Sequence, residues 1–478
     1  MVSRAALTAV VAVIAWGVLT FGGVYPWAYW PLLGGAALCG LWLLVSGRRS
    51  RPDLETLAIV ALLLGPPLVQ LVAVPQQWLE AVAPKTVEFL RAIDFTFSQS
   101  TASHPLSVNA PLTRMTLLYL AIGILWIAGL ARGLRTGIIK ASTLVGAVTV
   151  LAVLVAMEAL AQKAMFNGKI YWFWESQFKV AFNHFGPFVN RNHFAGWMLL
   201  ALCLGSGYMG GRLAQAGARL KSGWREYFLW VGSPEASGII ATMAGLSVMA
   251  ISLVWTLSRS GMAAACVALS ILTAAGLGAH GRGWRKIIVT TAIVFAIAGA
   301  ATWRGLDTVA ASYGDTRTLE WRFALWGDTV APLKDFWHLG SGLNTYGTVM
   351  ILYPQSDPGV HARQAHNDYL QLAVEGGALV IVPWLLAGAL LARRIPRRLF
   401  EPQDEMSWWI RMGAVAGICG IAVQELSDFS LQIPGVALLF ATCVALAVHE
   451  PARSHSRRRT SAKATREFAS GFRHTKSG

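Results

Sequence analysis

Apolar stretches long enough to span a bilayer recur about twelve times along this chain, at roughly 5–23, 27–46, 54–74, 115–131, 141–161, 193–211, 238–257, 262–279, 287–303, 370–391, 411–427 and 434–449. A helix needs about 20 apolar residues to cross roughly 30 Å of hydrocarbon. In that solvent every backbone N–H and C=O must find a partner within the protein, and continuous apolar runs of this length achieve it as helices. The chain is therefore expected to be an all-α, polytopic membrane protein of about 12 transmembrane helices. Composition agrees, with 55% of the 478 residues hydrophobic and only 13% charged, against about 25% charged in ordinary soluble domains.

The formal charge of +16 raises a nucleic-acid reading, which its distribution argues against. Most of the 40 Lys and Arg fall in short loops that alternate along the chain, around Arg48/Arg49/Arg51, Arg132/Arg135/Lys140, Arg212/Arg219/Lys221/Arg225, Arg282/Arg285/Lys286 and Arg393/Arg394/Arg397/Arg398, and in the tail. By the positive-inside rule these loops, and with them both termini, are cytoplasmic. Three long segments, 75–114, 162–192 and 304–369, then lie outside. The apolar run after Arg4 is long, lacks an A-x-A site and is followed at once by a second run, so it reads as an uncleaved first helix. The five cysteines all sit in apolar windows without metal-ligand spacing, so neither disulfides nor a metal nor another cofactor is implied.

The chain divides into 1–114, with the first three helices and an outer segment; 115–303, with helices four to nine; a large outer loop at 304–369; 370–449, with helices ten to twelve; and a basic, disordered tail at 450–478. In the first outer segment, Trp78, Leu79, Val82, Leu90 and Ile93 suggest an amphipathic helix in the interface, interrupted at Pro84. Ser98 to Pro105 reads as loop.

Charge at the end of a spanning helix needs either a snorkelling or a functional explanation. Arg191, with Asn190, Asn192 and His193, opens the sixth window, where unpaired N–H groups make an anion seat; a polar cap is the alternative. Arg259 lies in the tight outer turn Leu257-Ser-Arg-Ser-Gly261 and either snorkels to headgroups or joins Arg191 as a bidentate clamp on a diphosphate. Arg322 is a further cation inside the large loop. His366, followed by Asn367, Asp368 and Tyr369, stands at the mouth of the tenth window. It is either a cap or a base that takes a proton from a sugar hydroxyl. No Asp-rich outward motif is present, since Asp307, Asp315, Asp328, Asp335 and Asp357 are scattered singly.

At these residues the chain resembles the O-antigen ligase and polymerase family of bacterial envelope glycosyltransferases. The likeness is carried by Phe188 to Gly196, by Leu257 to Gly261, and by His366-Asn-Asp-Tyr-Leu-Gln-Leu-Ala-Val-Glu-Gly-Gly377. Pro105 to Pro111 and Arg322 to Gly342 are weaker, and the resemblance extends over roughly 100–450. The family's pattern has a second glycine three residues past Gly377, where this chain has Val380.

The resemblance implies a GT-C-like bundle with a large periplasmic loop between helices 9 and 10, in the bacterial inner membrane. It also implies metal-independent transfer of a glycan from undecaprenyl diphosphate to a hydroxyl of lipid A-core or of a growing glycan. Carried over, Arg191 and Arg259 are the diphosphate pair and His366 activates the acceptor. Arg322, Asn192, His193, Asn367 and Tyr369 become substrate contacts, and membrane lipids, not nucleic acid, are the other partners. Ligase and polymerase share these motifs. A transporter is the competing class, but acidic residues such as Glu158, Glu425 and Asp428 lie near window ends rather than mid-membrane. A non-catalytic scaffold would tolerate changes at Arg191, Arg259 and His366.

Overall fold

The computed structural model describes residues 3–46, 52–97, 102–177, 184–219, 229–278, 317–356, 361–401 and 403–450. The expected span at 287–303, the start of the large loop and the tail from 451 on lie outside the described residues. Eleven expected windows appear as helices: α1 (Arg4–Leu19), α2 (Pro26–Ser46), α3 (Leu54–Gln70), α6 (Ala110–Thr136), α7 (Ala141–Ala164), α8 (Arg191–Arg219), α9 (Pro234–Trp255), α10 (Arg259–Gly278), α13 (Asp368–Phe400), α14 (Glu405–Gln424) and α15 (Pro434–Val448). Eight of them are long and apolar enough to cross a membrane, whereas α1, α3 and α15 are shorter apolar helices. The fold is that of an all-α integral membrane protein.

α8 is the axis of the bundle, packed against α7, α9, α10, α14 and α15. Its core face carries Phe194, Trp197, Leu200, Cys203 and Leu204, all fully buried. Lipid tails are as apolar as leucine, so helices in a bilayer gain little from hydrophobic burial against one another and hold together through close backbone approach. The chain supplies small residues at the crossings: Gly207 meets Gly413 where α8 crosses α14, and Gly40 meets Gly129 where α2 crosses α6. The outward faces carry exposed Leu38, Val45, Val150, Leu154 and Leu385, as a lipid-facing surface requires.

Between α3 and α6 the expected amphipathic helix is two short ones, α4 (Gln76–Val82) and α5 (Pro84–Ile93), with Pro84 opening the second. Leu79, Val87 and Leu90 turn inward against Phe97 and Leu106, while Trp78, Val82 and Ile93 are exposed. Ser103–Pro105, expected as loop, is a short strand (β2) antiparallel to Ala73–Pro75 (β1).

The large loop is more ordered than its polarity suggested. It contains α11 (Arg317–Phe336) and a single turn, α12 (Tyr346–Val349). α11 packs on α13 through Leu325 and its neighbours in a cluster with Tyr346, Met350, Ala365 and Val374.

One crossing holds this outer layer to the bundle. α13 opens at Gly377, which has φ 54° and ψ −166°, a combination that costs an L side chain dearly. The freed N–H groups of Ala378 and Leu379 donate to the carbonyls of Trp337 (2.7 Å) and His338 (2.9 Å). In return, Ser341 N–H donates to Val374 O (3.0 Å) and Gly342 N–H to Glu375 O (2.9 Å). A Cβ on Gly377 would strike the backbone of Gly340, and one on Gly340 would strike that of Glu375. Glu375, buried, accepts from the Asn344 and Tyr346 N–H groups (2.7 and 3.0 Å). Gln70 of α3 donates to Leu339 O and Glu375 O (3.0 and 2.8 Å) and accepts from Leu343 N–H. Val380 is fully buried beside Gly376, so a side chain fits where the family pattern has its second glycine.

Gly377→Ala is expected to cost at least about 2 kcal/mol through its forced φ and backbone collision. Gly388→Ala, in open space on the same helix, should be neutral or stabilise by up to about 1 kcal/mol. Thermal unfolding of the two variants in detergent checks both.

Candidate active site

Three chain ends meet at the end of the bundle where α8 begins. The first is the start of α8 itself. Asn190 accepts from Asn192 N–H through its side chain (2.9 Å), and its carbonyl accepts from His193 and Phe194 N–H. It therefore caps the helix and leaves Arg191 in the first turn. The second is the start of α10, where Leu257 takes φ 54° and Ser258 Oγ accepts from Gly261 N–H (3.2 Å). A Cβ on Gly261 would collide with that of Ala195. This contact between the starts of α8 and α10 sets Arg191 and Arg259 close together. The third is the α14–α15 turn, 425–433, tied to α8 by Gln424 Nε2 donating to Asn192 O (2.9 Å).

α11 adds Arg322 from above. Arg191 lies within electrostatic reach of both Arg259 and Arg322, so three guanidiniums converge at the N-termini of two helices. Burial is the main cause holding Arg322 below its ordinary pKa; Asp428 opposes that shift and Arg259 adds to it. Its Nε is buried with no hydrogen-bond partner among the described residues. Like charges assembled at positive helix ends make a strongly anion-attracting place.

His366 sits beside this cluster. It has φ 49°, in the left-handed region where a histidine is uncommon. Its backbone is fixed from both sides: Trp326 Nε1 donates to Ala365 O (3.0 Å), Gln371 Oε1 accepts from Ala365 N–H (3.1 Å), and Asn367 caps α13 by accepting from Leu370 N–H (3.0 Å). The His366 ring packs edge-on against Trp321 (5.3 Å between centroids) and Phe429 (4.9 Å). Phe429 also takes the ring of His193 at 4.7 Å, so one aromatic ring spaces two imidazoles. Burial, and secondarily the charge of Arg322, pushes the His366 imidazole down to about 4, and its Nδ1 has no hydrogen-bond partner among the described residues. At neutral pH it is uncharged and able to accept a proton.

Two acidic residues that sequence reasoning placed merely near helix ends belong to the same spot. Asp428, fully buried, lies 3.8 Å from His193 Nε2 and is pushed up to about 6 by burial, against the pull of Arg322. Glu425 is raised well above the usual carboxylate value by burial and then by the negative neighbours Asp368 and Asp428. Asp368 accepts from Gln432 Nε2 (2.7 Å). Tyr369 points away, its hydroxyl donating to Ala422 O (2.8 Å). Thus the structure brings together Arg191, Asn192, His193, Arg259, Arg322 and His366. Asn367 and Tyr369 fix the backbone around them. Among the described residues no group of three or more His, Cys, Asp or Glu is placed to hold a metal ion.

Residues 244–385 match the family model described as O-antigen ligase. This region is an O-antigen ligase-like domain. It holds Arg259, Arg322 and His366, while Arg191, Asn192 and His193 precede it and the 425–433 turn follows it. Its function is of the O-antigen ligase or polymerase type, in polysaccharide assembly by a glycosyltransferase-like enzyme whose partners are in general a lipid-linked glycan and an acceptor. No curated protein matches the chain.

Because His366 binds its proton less readily when folded than when unfolded, it lowers stability as pH falls from about 6.5 to about 4. His366→Asn, which tolerates the left-handed backbone, should lose up to about 3 kcal/mol less than the parent over that interval. Unfolding temperatures of the two proteins measured across that range check the difference.

Proposed function

We propose that this protein transfers a glycan from undecaprenyl diphosphate to an acceptor hydroxyl at the periplasmic face of the bacterial inner membrane, without a divalent metal. The observation that carries this reading is the convergence of Arg191, Arg259 and Arg322 beside a neutral, partly buried His366. A diphosphate on those guanidiniums would find bidentate donors that stay charged. The isoprenoid tail would then run down the apolar flank of the bundle. Aromatic rings pack at this end of the bundle: Phe21, Tyr25 and Trp174 cluster there, and Phe188, three residues before Arg191, packs beneath Gly22.

In the reaction the acceptor oxygen attacks the anomeric carbon and its proton passes to His366. The bond from that carbon to the diphosphate oxygen breaks, and the electron pair leaves with undecaprenyl diphosphate. Charge grows on the leaving group at that moment, where preorganised cations lower the barrier most. Burial does most to hold the His366 pKa down, and Arg322 adds to it; a bound diphosphate would offset the Arg322 part and strengthen the base. Asp428 adds its field to Arg322 and lies 3.8 Å from His193 Nε2. Lipid A-core as acceptor makes the enzyme a ligase; a growing chain makes it a polymerase.

Purified protein should transfer glycan from an undecaprenyl-diphosphate donor with chelator present, and the acceptor that works separates ligase from polymerase. Arg259→Lys should lower kcat/KM by about 100-fold. Absence of transfer to any acceptor, or transfer that depends on Mg²⁺, would overturn the proposal.

A further inference from the structure

Along α11 lies a groove of about 310 Å³, lined by Glu320, Trp321, Ala324, Asp328, Gln355 and Ser356. Its floor is one face of α11, since residues 321, 324, 325 and 328 recur at helical spacing. Arg322 is turned about 100° away from Trp321 around the same helix, so the cation and the groove face different ways. The opposite wall is locked in advance. Both oxygens of Asp328 accept from Ser356, one from its N–H (2.8 Å) and one from its hydroxyl (2.6 Å). Gln355 donates to Met350 O (3.0 Å) and accepts from Ala362 N–H (3.1 Å).

The volume falls at the low end of the roughly 300–1,000 Å³ of small-molecule sites, which is room for a sugar ring and not for an oligosaccharide. Its chemistry is an aromatic ring with two carboxylates, and among the described residues no Lys or Arg lines it. Ionised carboxylates only accept hydrogen bonds, so the lining suits a ligand that offers many hydroxyl donors and an apolar C–H face, and it repels an anion. Trp321, which closes the groove, is the same ring that meets His366 edge-on at 5.3 Å. A ring held here would lie against the indole that also packs on the imidazole.

We propose that this groove is the subsite for one neutral, hydroxyl-rich pyranose of the acceptor glycan. The assignment to the acceptor rests on the transferase reading above; the binding of a neutral sugar does not.

The experiment uses the full chain in lipid nanodiscs and saturation-transfer NMR with the methyl glycosides of glucose, galactose, N-acetylglucosamine and glucuronic acid. At least one neutral glycoside should bind, with the glucuronide at least about tenfold weaker. Ala324→Phe fills the groove and should weaken sugar binding by about tenfold or more. Glu320→Gln, on the exposed rim, tests the carboxylate without touching the interior and should weaken it several-fold. In a transfer assay Ala324→Phe should raise the acceptor KM about tenfold and leave the donor KM within about twofold. Binding of no glycoside, binding indifferent to both variants, preference for the glucuronide, or a rise in donor KM in place of the acceptor's would each overturn the proposal. Sugar binding by a protein that transfers nothing would leave the groove standing and sink the transferase reading instead.

Discussion

The backbone contact between the Gly340-Ser-Gly342 turn and the opened turn of α13 at Gly376–Gly377 is what the loop-bearing end of this protein depends on. A membrane helix that breaks must pair its released N–H and C=O groups with other protein, and here the groups released by the break are those that hold the loop. Through this contact α11 is fixed relative to α13, and with it Arg322 relative to His366. Ser107, expected only as part of a weak motif, sits directly beneath Gly342 and shares its hydroxyl with Thr113 at 2.8 Å. The segment 105–111 is thus a prop for the crossing.

Electrostatics set the second constraint. Three buried or half-buried guanidiniums repel, and burying any of them costs energy that only an opposite charge returns. Asp428 supplies part of that charge from inside the protein.

Much of this was legible in the sequence, and the limits have physical causes. Spanning helices are readable because the bilayer demands length and apolarity together, so all eleven described windows fall on helices, with ends that differ most where the helix runs on past the apolar window, as at Arg219 and Phe400. Arg191, Arg259 and His366 stood out because charge at the end of an apolar run is costly. Asp428, Glu425 and Phe429 were passed over: they follow a run that ends in polar residues anyway, and nothing local shows that Gln424 reaches back to Asn192. α11 was read as loop since its composition is mixed. Yet Leu325, Thr329, Leu333 and Phe336, at spacings of three and four, face its packed side, and that period was the signal to follow.

The left-handed backbone at His366 bears on how substitutions there are interpreted. Alanine at φ 49° carries a strain of about 1–2 kcal/mol, so an inactive alanine variant mixes lost chemistry with a relaxed loop. Asparagine accepts that conformation, and glycine accepts it at the cost of a looser chain. Of the two, asparagine separates the imidazole's contribution from the geometry that presents it, and the pair together measure how much of the site is side chain and how much is shape.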